Sequence, residues 1–450
     1  MGVYRDVGFG DLVVNFLSEK GNDPSNTPWF VVGSLVNPHD NGVYPGPWQL
    51  PDPFHSVVPW TDYPPPPGIP AKGQLSLEKL GEPNKGQVVP LNPDGFPQDN
   101  SSLPPTYSES LDDKPGCHYE IALKWGLMLK SSQEYDLKSQ GVDGFYSPYP
   151  FQLQGVDASA WSLAYNQFYE YTHYLADLQR CRMLQALDEN HLAENTIVIF
   201  LSDHGEMAGA NGGMLQKWHN AYEETIHVPM VTSSPLINKD KQQMREIFQP
   251  TSSIDLLPTL LALSGFDEKE LRHAMEADYG NSIMKGFAGD DLSSYLKGES
   301  EGDIRGPNEK PRPGVFFMSN DMITELPDEP DDAAAAYYTE FMKSIELVRE
   351  QGYPLESGPV AQPNNLRALC TGDWKIVRYT DPNQVRPDEW ELYCLTSDPI
   401  EGTNLVDFRT GEVRDDVSVP GMTRVELKSK NRQLQRELAR QEAAMLGKSS

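Results

Sequence analysis

The sequence predicts an α/β fold, with a mostly parallel sheet between helices, followed by a small antiparallel sheet carrying a helix. Unbroken runs of β-branched and large apolar residues at 28–36 and 196–201 read as strands buried on both faces, as in a parallel sheet covered by helices. Stretches with apolar residues at three- and four-residue steps lie beside them and read as the covering helices. Beyond about residue 306 the pattern changes to short strands joined by turns, the pattern of an antiparallel sheet. The expected division is an α/β domain over 1–305 and an α+β subdomain over 306–450.

In chain order, Phe9, Leu12, Val13, Phe16 and Leu17 give 8–19 helical spacing. The first strand closes in Asn37-Pro38-His39-Asp40. Residues 41–116 hold nearly half of the 38 prolines, including Pro64 to Pro67, and proline removes backbone donors. A long irregular excursion is expected there, either a wall or lid over a site or a surface insertion. The longest predicted helix is 152–187, whose stripe includes Leu163, Tyr165, Phe168, Tyr171, Leu178, Leu184 and Leu187 and reads as core. It feeds the strand 196–201, which stops at Ser202-Asp203-His204-Gly205. A further strand is expected at 227–232, and a helix at 251–264 begins on Thr or Ser and closes at Gly265.

Strands follow at 314–319, 366–371, 374–379 and 391–395, with Gly372-Asp373 as a hairpin signal. Between the first two, an acidic stretch leads into a helix at 333–349. The helix 424–446 carries Leu427, Leu434, Leu438 and Met445 on one stripe, too short for a coiled coil and suited to docking on the sheet.

Composition narrows the function. Sixty-six acidic against 37 basic residues give a formal net charge of −29, which repels phosphate backbones and argues against nucleic acid as a partner. Four scattered cysteines without a CxxC pair argue against a disulfide framework or zinc cluster. No leader-like segment and no apolar run of membrane length is present, so the chain as written reads as cytoplasmic, with no membrane partner.

Ligands in open α/β sheets sit outside the carboxyl ends of strands, which directs attention to 202–205. A carboxylate and a neutral imidazole, Asp203 and His204, suit a hard divalent cation or manganese; the same pair in a loop also suits a turn. Lys217, fourteen residues after Asp203, offers a point charge for a sulfate or phosphate oxygen; taken alone it fits a solvated surface lysine better. His39, at the end of the other strand, is a histidine able to protonate a leaving oxygen, and taken alone it suits a helix or loop cap equally well. Together these residues suit an anionic ester held on a divalent metal, without separating sulfate from phosphate.

The sequence resembles the sulfatases of the alkaline-phosphatase superfamily. NTIVIFLSDHGE resembles the family's strand carrying Ser-Asp-His/Asn-Gly, and QKWHNAYEETIHVP its lysine-bearing loop and Val-Pro segment. PWFVVGSLVNPHD resembles the strand with Asn-Pro-His, SSIDLLPTLLALSG the helix after the core strand, and LRALCTGDWKIVRY with ELYCLTSDPIEGTNL the C-terminal sheet. The resemblance implies Asp203 and His204 as metal ligands, Lys217 as the sulfate contact and His39 as the aid to the leaving group. It implies calcium as the usual metal, with manganese or magnesium in relatives that hydrolyse phosphonates and phosphodiesters, and a small sulfate ester as substrate. The family's paired acidic ligands near the chain start, and its Cys/Ser-x-Pro-x-Arg motif that yields the formylglycine nucleophile, are absent from this chain. His227 stands where many relatives carry arginine. The chain thus resembles about the last two-thirds of a sulfatase, and a truncated, inactive chain is expected. A phosphonate or phosphodiester hydrolase and a non-catalytic sulfatase-like binding protein are the alternatives.

Overall fold

The computed structural model describes residues 2–25, 27–43, 72–76, 86–90, 102–139, 158–235, 237–238, 244–267, 270–271, 273–274, 287–305 and 310–446. Most of the proline-rich excursion therefore lies outside the described residues; within it, β1 (Lys72–Ser76) and β2 (Gly86–Pro90) pair antiparallel.

Two helices frame the N-terminal half. The first, α1 (Gly2–Gly21), packs against the 32-residue α3 (Ala158–Glu189). Leu17 of α1 is buried with Ala186 and Leu187 of α3, while Trp29 and Val198 pack on the same cluster. The α3 stripe is core at Tyr165, Phe168, Tyr171 and Leu187, whereas Leu178 and Leu184 are exposed. Between them in sequence lies α2 (Gly116–Ser139), which no clean apolar stripe announces.

The strand β3 (Val198–Leu201) forms as expected and pairs with β4 (Met230–Ser233). The α/β class holds, but this pair is antiparallel, with Leu201 opposite Met230. The run 28–36, expected as the first strand, is not a strand in the structure. Trp29 and Val31 are partly buried while Phe30 and Val32 are exposed, so the run alternates like a strand and finds no ladder partner among the described residues. The expected helix at 251–264 is present as α4 (Leu256–Leu263), entered through a capping box in which Ser252 and Asp255 bond each other's backbone. It is closed at Gly265 with φ +84°.

The C-terminal sheet is the one read from sequence. Strands β5 (Val315–Ser319), β6 (Asn365–Cys370), β7 (Trp374–Thr380) and β8 (Glu389–Cys394) run in that order, all antiparallel. Helix α5 (Asp332–Glu350) lies between β5 and β6 in sequence. Helix α6 (Arg424–Leu446) docks on the sheet, burying Leu427, Leu434 and Leu438 against Trp374, Ile376 and Leu392, while Met445 at its end is exposed.

One core joins the two halves. It holds Cys117, Ile121 and Leu127 of α2, Met207, Met214 and Tyr222 of the segment after β3, Phe341 and Ile345 of α5, and Leu366, Val377 and Tyr393 of the sheet. Within it a fully buried polar cluster centres on Glu391, which accepts hydrogen bonds from the hydroxyls of Tyr222 (2.8 Å), Tyr379 (2.8 Å) and Tyr393 (2.6 Å). His118 Nε2 lies 2.9 Å from the Tyr379 hydroxyl, and Lys114 donates to the Tyr393 hydroxyl. Such groups are tolerable inside only when they satisfy one another.

Candidate functional site

The apolar run of β3 ends at Ser202, and the chain turns through Asp203, His204 and Gly205. A Cβ at Gly205 would lie 2.0 Å from the Glu224 carbonyl oxygen, and the Gly205 N–H donates to Thr225 O at 2.8 Å. Only glycine lets these two backbones approach so closely. The contact joins the strand end to the segment that follows the lysine loop.

Asp203 and His204 reach the surface, their side chains 84% and 37% exposed. His204 Nδ1 lies 2.8 Å from the Gly205 carbonyl, which can only accept, so Nδ1–H donates there and Nε2 is the nitrogen left for a ligand. That Nε2 is 3.5 Å from Asp203 Oδ2. In kind, the two donors suit a divalent cation. In number they fall short, because a hard cation takes about six ligands, and no group of three His, Cys, Asp or Glu able to hold a metal exists among the described residues.

Lys217 is carried by a loop whose form depends on Glu206. This partly buried carboxylate accepts from the N–H groups of Ala208 (3.1 Å) and Gln216 (2.7 Å), from the Gln216 amide (3.0 Å) and from the Tyr165 hydroxyl (2.9 Å). Burial pushes its pKa up against the pull of those bonds and of Lys217. Lys217 lies with its ammonium 4.5 Å from the centre of the Trp218 ring and 3.4 Å from Gln216 Oε1. Burial lowers its pKa, while the charges of Glu206, Asp203 and Asp321 oppose that shift. Lys217 and the β3 end thus feel each other electrostatically.

His39 begins a short 3₁₀ helix, His39–Val43. Asp6 of α1 fixes the entry to this turn by accepting from the N–H groups of Val36 (2.7 Å) and Asn37 (2.9 Å). Gly42 of the turn packs on Gln216, where a Cβ would sit 3.0 Å from Nε2. The turn that carries His39 is therefore brought against the residue preceding Lys217.

Some contributors were not foreseen. Glu206 carries no signal of its own in the sequence, and Tyr165 reads as core. Asp321, just past β5, accepts from the His219 N–H at 2.7 Å and ties the C-terminal sheet to the lysine loop. The only sequence signal for it is its place at a strand end, beside Ser319, whose hydroxyl donates to it at 2.6 Å.

The architecture is an α/β scaffold with polar residues gathered at the end of β3. By structure, the chain resembles a 2-O GAG sulfatase with TM-score 0.53 and 18% identity over 98% of this chain and 64% of that one. It resembles the phosphonate monoester hydrolase of Agrobacterium radiobacter with TM-score 0.50 and 19% identity over 96% of this chain and 60% of that one. By sequence, it is 37% identical over 115 residues to the ulvan-active sulfatase of Formosa agariphila, which is 26% of this chain and 19% of that protein. The sulfatase family model matches residues 4–266, and the chain belongs to the sulfatase family. At family level that is a sulfuric ester hydrolase, and the family uses a divalent metal. The chain spans less than two-thirds of the length of these relatives. No helix among the described residues is long and apolar enough to cross a membrane.

Proposed function

We propose that this chain carries the lysine, histidine and partial metal-binding portion of a sulfate-ester hydrolase centre. The observation that supports it is the convergence of three sequence segments: the His39 turn on Gln216, the Gln216–Lys217 pair on Glu206, and Lys217 within the field of Asp203. In this reading Lys217 binds a sulfate oxygen, and His39 donates a proton to the departing alcohol oxygen. Asp203 and His204 furnish two ligands to a divalent cation, with calcium favoured for a carboxylate-led set and manganese or magnesium as alternatives. Such a cation polarises the ester when bound. The substrate is a small anionic sulfate ester, and the ulvan-active and 2-O GAG relatives direct attention to sulfated carbohydrates.

Residues 1–450 contain no Cys/Ser-x-Pro-x-Arg motif. Without a nucleophile, binding and electrostatic groups alone give little acceleration. We therefore expect negligible aryl-sulfate turnover from this chain by itself. Purified protein that hydrolyses an aryl sulfate, with the activity lost in Lys217→Ala, would overturn that expectation. The phosphonate monoester hydrolase likeness supports a second reading, since a metal and a lysine serve both ester types. Relative rates on an aryl sulfate and a phosphonate monoester, in a form supplied with the nucleophile segment, separate the two. Tight binding of sulfated sugars without turnover in that form would favour a binding role.

A further inference from the structure

Gln216 has a backbone in the left-handed region, φ +63°, a conformation that a side chain with a Cβ adopts at some cost. Its neighbours use every polar atom of its side chain. Nε2 has two hydrogens, and two acceptors stand at hydrogen-bond distance: Glu206 Oε2 at 3.0 Å and the Tyr165 hydroxyl at 3.1 Å. That hydroxyl spends its own proton on Glu206 Oε1 at 2.9 Å, so towards Gln216 it can only accept. The three side chains form a closed ring of directed hydrogen bonds. Turning the carboxamide over would set its oxygen against a carboxylate and a hydroxyl that has no proton left to give. One orientation survives, with Oε1 on the opposite side, 3.4 Å from Lys217 Nζ.

We propose that Gln216 is a positioning residue for Lys217: Glu206 and Tyr165 fix its carboxamide so that its oxygen restrains the ammonium beside the Trp218 ring. Gly42 packs on the same carboxamide, so the His39 turn also meets the side chain that precedes Lys217. The functional weight of this arrangement rests on reading Lys217 as the sulfate contact. The orientation itself does not.

The test reads Lys217 directly. Acetylation by acetic anhydride is followed residue by residue by mass spectrometry from pH 7 to 10, with the exposed Lys343 as internal reference. In Gln216→Leu the ammonium loses its acceptor, so the Lys217 rate is expected to rise about threefold or more and its pH midpoint to fall, the scale of one hydrogen bond. Tyr165→Phe removes one hydroxyl, a milder change that keeps the question open if the leucine variant fails to fold; it should give a smaller rise in the same direction. Because Tyr165 acts through Gln216, combining the two should add nothing beyond Gln216→Leu, whereas a general loosening of the loop would multiply the effects. An unchanged Lys217 rate and midpoint in folded Gln216→Leu overturns the proposal, as does a Tyr165→Phe effect of equal size with and without Gln216. Inorganic sulfate is added as a separate probe. Failure of sulfate to protect wild-type Lys217 sinks the sulfate reading while leaving the orientation test standing.

Discussion

At Gly205 the presence or absence of one carbon decides whether the strand end and the segment after the lysine loop can meet. The obstructing atom is a backbone oxygen at 2.0 Å, which has no rotamer by which to escape. Gly205→Ala is expected to destabilise the protein by about 3 kcal/mol, the upper end for overpacking, and to loosen the Asp203–His204 turn. The same substitution at Gly8 should have the opposite sign. Gly8 lies inside α1 with nothing within 4 Å of the added carbon, so alanine there should stabilise by roughly 0.5–1 kcal/mol through helix propensity. Thermal or urea unfolding of the two variants checks both, and a Gly205→Ala protein as stable as wild type would contradict the close approach.

At the scale of elements, what could be read from the sequence was whatever local pattern determines. The end of β3, the Gly372-Asp373 hairpin and the stripe of α6 were legible because alternation, turn chemistry and helical spacing are local. Pairing was not. The apolar run at 28–36 specifies an extended backbone but not a hydrogen-bonding partner, and β3 specifies a buried strand but not the direction of its neighbour. Helix α2 was missed for a related reason: Cys117, Ile121 and Leu127 are buried, but so are His118, Glu120 and Lys124, whose Lys124–Glu120 pair lies in the interior. With charges inside, no clean apolar stripe appears. In the site, Asp203, His204, Lys217 and His39 stood out by residue type after the apolar runs. Glu206, Tyr165 and Gln216 did not, because their linkage exists only once α3 lies beside the loop. The α6 stripe carries its own prediction. Leu434 is buried against the sheet, so Leu434→Ala should cost about 3 kcal/mol, whereas Met445→Ala at the exposed end should change stability by less than about 0.5 kcal/mol. Equal losses at the two positions would mean that the helix end is docked as firmly as its middle.

For the whole molecule, the joint between the N-terminal half and the C-terminal sheet is polar at its centre, and this makes its stability depend on acid. His118 on α2 is enclosed by Tyr222, Tyr379, Glu391 and Lys114. Burial is the largest influence on its pKa, lowering it from 6.5 to about 4 against the attraction of Glu391, with Lys114 and His219 adding to the lowering. In the unfolded chain the imidazole takes its proton near 6.5. Between the two values the unfolded state therefore binds more protons, so stability is fully present above pH 6.5 and falls as the pH drops towards 4. The loss reaches roughly 3 kcal/mol at pH 4 for this one group. Carboxylates contribute their own acid dependence, so the measurement is a difference. Urea unfolding of wild type and His118→Gln at pH 7, 5.5 and 4 should show the variant less stable at pH 7 but losing about 3 kcal/mol less on acidification. Parallel pH profiles would mean that His118 does not titrate with unfolding. Because Tyr222 lies three residues beyond His219, whose N–H is held by Asp321, opening this joint should also release the lysine loop. Backbone amides of the lysine loop should therefore lose hydrogen-exchange protection at pH 4.5–5.5 in the wild type before those of α1 and α3, and the order of those two events shows whether the C-terminal sheet holds the site in place.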